Sequence, residues 1–308
     1  MTDLDTGAPA VPVSNADLLE RYMSRVWNGG EWDTARALVS DEMVVHGAGG
    51  QVVKQGPEGV IGLVTAWRNA FPDGRMVVHE YLSEGELVAD RMTWEGTHSG
   101  EFYGIAPTGA TVSCTSIGTD RIVGGIITEG WGELDMLGMM QQLGALPALF
   151  PPTSGAWDDD GPTCAAPGAP AHAETVRTLA VRTVQRLGAA DDAGLTDVVD
   201  ADAFVDHNPT TGRTGLAGTR AFAGRLREAL PDVTWRPSGH TVVDGDRALV
   251  RWTAGGKHTG APLMGVEATG LDLSWTGSDI LRVQGGRCVE RWTCADLFSV
   301  AQQLGVMG

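Results

Sequence analysis

The chain has 308 residues, of which 42% are hydrophobic and 20% charged, a balance typical of a globular protein with room for two domains. Its formal net charge is −17 and no Lys/Arg cluster stands out, so neither nucleic acid nor an anionic membrane is expected as a partner. The four cysteines lack metal-type spacing, and neither a signal peptide nor a transmembrane run is apparent, so we expect a cytoplasmic protein.

The first half of the chain predicts a group of helices followed by antiparallel strands. A polar tail, residues 1–14, is predicted to be disordered and leads to a helix that begins at the capping residues near Ser14. Alternating apolar residues and Gly-rich turns then indicate strands joined by hairpins. The predicted helices lie at 14–26, 31–38 and 56–71, and the predicted strands at 42–46, 75–80, 87–94, 111–118 and 122–131.

The second half repeats this order of elements after a segment rich in Pro, Ala and Gly. That segment, residues 147–171, is predicted to be a linker that is poorly ordered in part. We therefore predict two domains, 15–146 and 172–308, on either side of it. The second is predicted to have helices at 173–187, 193–199 and 215–230 and strands at 234–243, 248–253, 272–281 and 288–292.

A repeated motif is the clearest evidence that one domain has been duplicated. The motif is Glu-x-Trp-x-x-x-Asp, followed in both copies by Gln-Gln-Leu-Gly. In the first copy its residues are Glu129, Trp131 and Asp135, and in the second they are Glu290, Trp292 and Asp296, each 161 positions later (290 − 129). We therefore predict that each domain closes on the same acidic element.

This motif is the first candidate for chemistry. Alternate residues of a strand share a face, so its Trp and carboxylates would lie on one stripe, which suggests a partly polar pocket. A carboxylate beside Trp in such a pocket would be desolvated, which raises its pKa and suits it to acid/base work. Two other interpretations stay open: Asp135 and Asp296 as helix N-caps, and Glu129 and Glu290 as members of structural ion pairs.

Matched histidines form the second candidate group. His98 and His258 each stand in a His-Ser/Thr-Gly segment, where they could orient a substrate or serve only as hydrogen-bonded structural residues. His46 and His207 form another pair, and Asn208 follows the second of these. No spacing indicates a zinc or iron site, a P-loop, a dinucleotide fold or a nucleophile elbow, so we expect neither metal nor cofactor.

With these residues in view, each half resembles the SnoaL-like polyketide cyclases, also termed ester cyclases, of the nuclear transport factor 2-like superfamily. In the first half the matching segments are His46 and residues 56–59, 70–73, 96–109 and 131–144, and in the second they are 207–209, 230–232, 258–260, 268–270 and 292–305. The resemblance implies an α+β fold with two tandem cone-shaped barrels, in which a curved antiparallel sheet packs on helices around a pocket.

The resemblance also implies a chemistry. It is a metal-free intramolecular aldol cyclisation of a hydrophobic polycyclic or polyketide-like molecule, with Asp135 and Asp296 as acid/base residues and His98 and His258 in the pocket. Trp131, Trp292, Glu129, Glu290, His46, His207 and Asn208 are the expected substrate-binding residues. Since members of the family associate, the two repeats are expected to form an intramolecular pseudo-dimer, with further homo-oligomerisation open.

Alternatives to a cyclase remain at this stage. One is another acid/base enzyme on the same fold, such as a hydrolase, dehydratase, isomerase or cofactor-free oxygenase. Another is a non-catalytic protein that binds a hydrophobic ligand. His46 is not followed by Asn-Pro as His207 is, and Ala268 stands where the first copy has Pro107, so one of the two pockets could be altered or inactive.

Overall fold

We describe the protein from a computed structural model, which covers residues 13–47, 52–147, 149, 170–188 and 192–306. Most of the predicted tail and of the predicted linker lies outside these residues. Within them, no helix is long and apolar enough to cross a membrane.

The first domain is a six-stranded sheet curved around helices. The strand order is β2-β1-β6-β5-β4-β3, and only the β1–β6 pair is parallel. Ser14 caps the first helix through the Asp17 N–H, and a π-helical segment, Met23–Asn28, continues it. The elements are α1 Asn15–Tyr22, α2 Trp32–Leu38, β1 Val39–His46, β2 Val52–Lys54, α3 Gly56–Ala70, β3 Arg75–Glu84, β4 Leu87–Thr97, β5 Thr111–Val123, β6 Ile126–Leu134 and α4 Met136–Gln142.

The second domain repeats this arrangement with the strand order β8-β7-β12-β11-β10-β9. Its β7–β12 pair is again the parallel one. The chain therefore forms two tandem α+β domains, as predicted. The elements are α5 Pro170–Gly188, α6 Asp192–Leu195, β7 Val205–Asn208, β8 Gly212–Thr214, α7 Leu216–Ala229, β9 Thr234–Asp244, β10 Arg247–Lys257, β11 Asp272–Gln284, β12 Arg287–Ala295 and α8 Leu297–Gln303.

Two predicted elements differ in the structure. Gly124 and Gly125 form a hairpin turn, as the Gly-Gly pair predicts, with φ values of +58° and +83°, so the strand bounds predicted at 122–131 are wrong and the turn separates β5 from β6. The helix predicted at 193–199 ends at Leu195, because Val199 instead forms an isolated bridge with Cys288. Both differences arise from tertiary pairing and turn geometry rather than from hydrophobic spacing.

The two domains pack against each other through the outer faces of their sheets. Side chains of β3–β5 and of β9–β12 form one buried apolar cluster across this interface. Its members are Leu82, Ala89, Ile117, Val242, Leu249, Ile280, Trp292 and Cys294. The two repeats therefore associate as the predicted intramolecular pseudo-dimer.

Contacts at this interface are reciprocal, as in a twofold dimer. The guanidinium of Arg91 lies 4.6 Å from the ring centre of Trp292, and that of Arg251 lies 5.8 Å from the ring centre of Trp131. Arg91 and Arg251 occupy matching positions of β4 and β10, so each domain places the same arginine over the tryptophan of the other.

A buried ion-pair cluster crosses the interface beside these rings. Glu80 is 1% exposed and accepts a hydrogen bond from Arg91 Nε at 2.6 Å. Its other carboxylate oxygen pairs with Arg247 of the second domain. Removing this carboxylate charge would break a buried ion pair with Arg91 and one with Arg247, which is a costly change.

We predict that Glu80→Gln lowers the free energy of unfolding by about 3 kcal/mol or more, because it breaks a buried ion pair on one side only. Glu95→Gln is the control, since it breaks the exposed pair between Glu95 and Arg75, and it should cost less than about 1 kcal/mol. Urea denaturation followed by circular dichroism measures both, and equal losses would contradict the assignment.

Candidate active site

The first domain encloses a cavity of about 260 Å³ between the inner face of its sheet and helices α1 and α3. Its apolar wall is built from aromatic, methionine and aliphatic side chains: Met23, Trp27, Met43, Val45, Val60, Leu63, Trp67, Met76, Met92, Trp94 and Leu134. Its few polar side chains include two aspartates, Asp90 and Asp120. The volume and the largely apolar lining suit a small aromatic or polycyclic molecule.

Each of the two aspartates lies opposite a glycine on the neighbouring strand. Asp90 of β4 pairs with Gly118 of β5, and Asp120 of β5 pairs with Gly130 of β6. A β-carbon at Gly118 would stand 2.8 Å from a carboxylate oxygen of Asp90, and one at Gly130 would stand 2.9 Å from Asp120 Oδ1. The glycines therefore provide the space that the two carboxylates occupy.

The two carboxyls are strongly perturbed. Asp90 is 0% exposed, neither of its oxygens has a hydrogen bond of normal geometry, and burial raises its pKa to about 7. The pKa of Asp120 is raised well above its usual value, first by burial and then by the charge of Asp90. Each charge therefore makes ionisation of the other carboxyl less favourable.

The side chains around Asp90 and Asp120 do not offset the raised pKa values of the two carboxyls. Among the described residues that line the cavity, none carries a positive charge. Tyr22 borders the cavity, and burial together with the Asp120 charge raises the pKa of its phenol. Tyr81 is perturbed in the same direction, by burial and then by Asp90. Both phenols therefore stay protonated and keep an O–H group.

The corresponding space in the second domain is only about 50 Å³ and is filled by an ion-pair network. Arg291 Nε donates to Asp279 Oδ2 at 2.9 Å, and its Nη1 lies 3.5 Å from Asp206 Oδ2. The Thr293 hydroxyl and the Trp252 indole N–H donate to Asp279 Oδ1 at 2.6 and 3.0 Å. The interior charges of this domain are thus paired with one another.

The two interiors carry their polar groups at different positions of the same fold. Val45, Gly118 and Gly130 of the first domain stand where the second has Asp206, Asp279 and Arg291. Conversely, Val250 and Leu281 stand where the first domain has Asp90 and Asp120. One copy therefore has an open acidic cavity and the other a closed, charge-balanced core.

The Trp and Glu residues of the repeated motif lie on the sheet face opposite the cavity. His46 Nε2 is 2.8 Å from Glu129 Oε1, and the His46 ring stacks on Trp131 at 5.0 Å. In the second domain, His207, Glu290 and Trp292 repeat these contacts at 2.9 and 5.0 Å. The residues do share a face, as expected, and on that face Trp131 contacts His240 and Arg251 of the second domain. Trp131 is also among the residues that border the first cavity. Their predicted role in substrate binding stays a prediction.

The two motif aspartates begin the closing helices. Asp135 Oδ1 accepts the Gly138 N–H at 2.9 Å, and Asp296 accepts the Ser299 N–H at 3.0 Å and also contacts the Ser299 hydroxyl. Burial raises the pKa of Asp135, and the hydrogen bond from Gly138 opposes the rise. Asp135 also borders the small cavity of the second domain. Both therefore act as N-caps.

The other predicted site residues lie apart from the first cavity. His98 and His258 are fully buried in matching loops, where each ring nitrogen Nδ1 lies 3.1–3.2 Å from a threonine hydroxyl. Neither borders either of the two cavities. Asn208 does border the second cavity, and its side chain accepts the Thr210 N–H at 2.8 Å.

Asp90 and Asp120 were not among the residues singled out from the sequence. Each is a charged residue at an inward position of a strand that is otherwise buried and apolar, and this pattern could have identified it from the sequence. Comparison of the copies adds to it, since valine and leucine replace them in the second.

Both halves of the chain match one family of known proteins. The sequence profile of the SnoaL-like polyketide cyclases matches the chain twice, over residues 17–143 and 178–304. The chain belongs to the SnoaL-like polyketide cyclase family. Its two matches coincide with the two curved-sheet domains, so the family assignment covers both repeats.

Solved structures of SnoaL-like proteins resemble single repeats. IdmH of Streptomyces antibioticus, a proposed polyketide cyclase, is 31% identical, with a TM-score of 0.38 over 42% of this chain and 97% of IdmH. A proposed SnoaL-like cyclase of Jannaschia sp. CCS1 is 23% identical, with a TM-score of 0.41 over 46% and 100%. AclR of Streptomyces galilaeus, a proposed hydroxylase, is 30% identical, with a TM-score of 0.39 over 44% and 85%. No curated protein matches the chain.

We predict that Asp90→Asn changes how stability depends on pH. A carboxyl has a pKa near 4 in an unfolded chain, so the folded protein binds more protons between about pH 4 and pH 7. The stability that comes from protonated Asp90 is therefore lost as the pH rises through 7, and the wild type should lose stability relative to Asp90→Asn over this interval. Urea denaturation at a series of pH values measures the difference.

Asp73→Asn is the control, because hydrogen bonds from Thr97 lower the pKa of Asp73. Relative to this variant, the wild type should gain stability as the pH rises from the acid range, which is the opposite sign. A pH-independent difference between the wild type and Asp90→Asn would contradict the raised pKa.

Proposed function

We propose that the first domain is a cofactor-independent cyclase that closes a ring in a polyketide-like molecule by acid/base catalysis with Asp90 and Asp120. The observation that carries this proposal is the pair of buried carboxyls in an apolar cavity that has no cationic partner for them. Membership of the SnoaL-like family supports a cyclase-type reaction, and the two carboxyls supply groups that can perform it.

Ring closure by an aldol step needs one proton removed and one delivered. The ionised member of the pair takes a proton from a carbon next to a carbonyl, and the resulting enolate forms a C–C bond to a second carbonyl carbon. The alkoxide that results takes a proton from the protonated member. Two carboxyls with raised pKa values, one ionised and one protonated, supply both roles.

The cavity walls suit this reaction. Aromatic and methionine side chains exclude water from the enolate and leave room for a flat ring system. The Tyr22 hydroxyl, which stays protonated, can hydrogen-bond a substrate oxygen. The Trp side chains at 27, 67 and 94 offer faces for ring stacking. We therefore assign binding to the apolar walls and proton transfer to the two aspartates.

The second domain has neither the two aspartates nor the larger cavity of the first domain. Its interior carboxylates are bound to Arg291, its cavity is about one-fifth the size, and Val250 and Leu281 replace the two aspartates. We propose that one copy of the duplicated domain performs the reaction. Asp135 and Asp296, predicted as catalytic from the motif, serve in this proposal as helix caps.

Asp90→Asn and Asp120→Asn should each lower kcat about 10²- to 10⁴-fold, because each removes a proton-transfer group from the cavity. The assay follows ring closure of uncyclised aromatic polyketone esters by liquid chromatography and mass spectrometry. Asp135→Asn and Asp296→Asn are matched controls that should lower thermal stability through the loss of a cap charge and leave kcat within about threefold.

Two outcomes would overturn this assignment. Full turnover in the Asp90→Asn/Asp120→Asn double variant would exclude the pair as the acid/base groups. Loss of turnover in Asp135→Asn or Asp296→Asn, with folding intact by near-ultraviolet circular dichroism, would place the chemistry at the repeated motif instead.

A further inference from the structure

We propose that the second domain holds one wall of the first domain's cavity in place and that Arg251 is the positioning residue through which it does so. The wall in question is strand β6, Ile126–Leu134. The proposal concerns the cavity to which the proposed function is assigned, and it can be tested without turnover.

The inner side of this strand makes few side-chain contacts. Gly130 and Gly132 face the cavity and carry no side chain, and a β-carbon at Gly132 would have no neighbouring atom within 4 Å. Glycine also gives a strand more backbone freedom than any other residue. Beyond its backbone pairing with β1 and β5, this wall therefore depends on contacts made by the residues next to the glycines.

Those residues, Trp131 and Glu133, both contact the second domain, and Trp131 also contacts His46 and Arg121 of its own domain. The Trp131 ring lies 4.4 Å from the His240 ring, and the guanidinium of Arg251 lies over the Trp131 ring, 5.8 Å from the ring centre. Glu133 is 3% exposed, lies 3.5 Å from Arg251 Nη2 and accepts a hydrogen bond from the Thr276 hydroxyl at 3.1 Å. Arg251 thus contacts both anchors of the strand.

The matching strand of the second domain, β12, receives the reciprocal contact from Arg91 on Trp292 and has interior bonds as well. There Arg291 and Thr293 replace the two glycines, and both bond to Asp279 inside the barrel. That strand is therefore held from both sides, whereas β6 leaves its interior open and has side-chain contacts on its outer side. The open cavity of one domain therefore depends on the surface of the other.

The charges around Glu133 make this contact sensitive to pH. Burial raises the pKa of Glu133 to about 7, while Thr276 and Arg251 oppose the rise and Asp296 adds to it. Burial also lowers the pKa of Arg251, which Glu133 partly restores. His240, whose pKa burial and Arg251 lower to about 4, stays neutral near pH 7. Protonation of Glu133 below about pH 7 then removes the ionic partner of Arg251.

The test records backbone amide signals of Gly130 and Gly132 by ¹⁵N NMR in the full chain between pH 5.5 and 8.5, without ligand. All proteins in this test also carry Asp90→Asn and Asp120→Asn, so that the two cavity carboxyls do not titrate beside these glycines. With Glu133 and Arg251 in place we expect both signals to shift with a midpoint near pH 7. In Glu133→Gln and Arg251→Met we expect no such midpoint and at least tenfold faster hydrogen exchange along β6. Arg251→Lys should restore part of the protection.

Arg247→Met is the matched control. Arg247 is also an interface arginine of the second domain, but it lies over Trp292, 5.4 Å from its ring centre, and pairs with Glu80. This variant should keep the pH profile of the glycine signals. Thr276→Val is a milder second variant, with an intermediate effect expected, in case Arg251→Met does not fold.

The proposal is overturned if Arg251→Met keeps wild-type exchange rates and the pH midpoint at Gly130 and Gly132, or if Arg247→Met changes them equally. These signals report the wall and not the reaction. Unchanged glycine signals would overturn the role of Arg251 and leave the catalytic assignment of Asp90 and Asp120 in place. An absence of turnover would overturn the proposed function and leave the role of Arg251 in place.

Discussion

Burial of the outer sheet faces against each other is the constraint on which the rest of this structure depends. Each strand has two faces, and the pseudo-dimer takes one of them for the interface. Only the inner face remains for a cavity. The repeated Glu-x-Trp motif lies on the interface side, where Trp131 and Trp292 each receive an arginine from the opposite domain. The motif thus repeats because the interface is approximately twofold.

With the interface shared, the two interiors are free to differ. A buried carboxylate is costly unless it is paired with a cation or protonated. In the second domain the carboxylates are paired with a cation, because Arg291 contacts Asp206 and Asp279. In the first domain protonation is favoured, because the pKa values of Asp90 and Asp120 are raised. Pairing fills the space and stabilises a core, whereas protonation leaves the space open and keeps a reactive group.

Much of the fold could be predicted from the sequence. Helical spacing, Gly-rich turns and the offset between motifs gave the duplication, the order of helices and strands, and the resemblance to the family. Hairpin boundaries were less certain, because Gly124 and Gly125 divide a run that reads as one strand. These features are local, and local rules describe them.

The candidate site was harder to predict for a physical reason. Alternation shows that Glu129 and Trp131 share a face, but it does not show which face meets a cavity and which meets another domain. His98 and His258, which both copies retain, are buried and contact threonine hydroxyls in matching loops. Asp90 and Asp120 occur in one copy only, so a search for shared features passes over them.

The central claim is that, of the two domains that the structure describes, the first alone has an open cavity. It is tested most directly by titrating the full chain with the neutral aromatic probe N-phenyl-1-naphthylamine and counting the molecules bound. The account predicts one molecule per chain, lost in Gly132→Leu, because Gly132 borders the cavity and a β-carbon there would have no neighbouring atom within 4 Å, which leaves the side chain room to extend into the cavity. Two molecules per chain, or one that Gly132→Leu leaves in place, would contradict it.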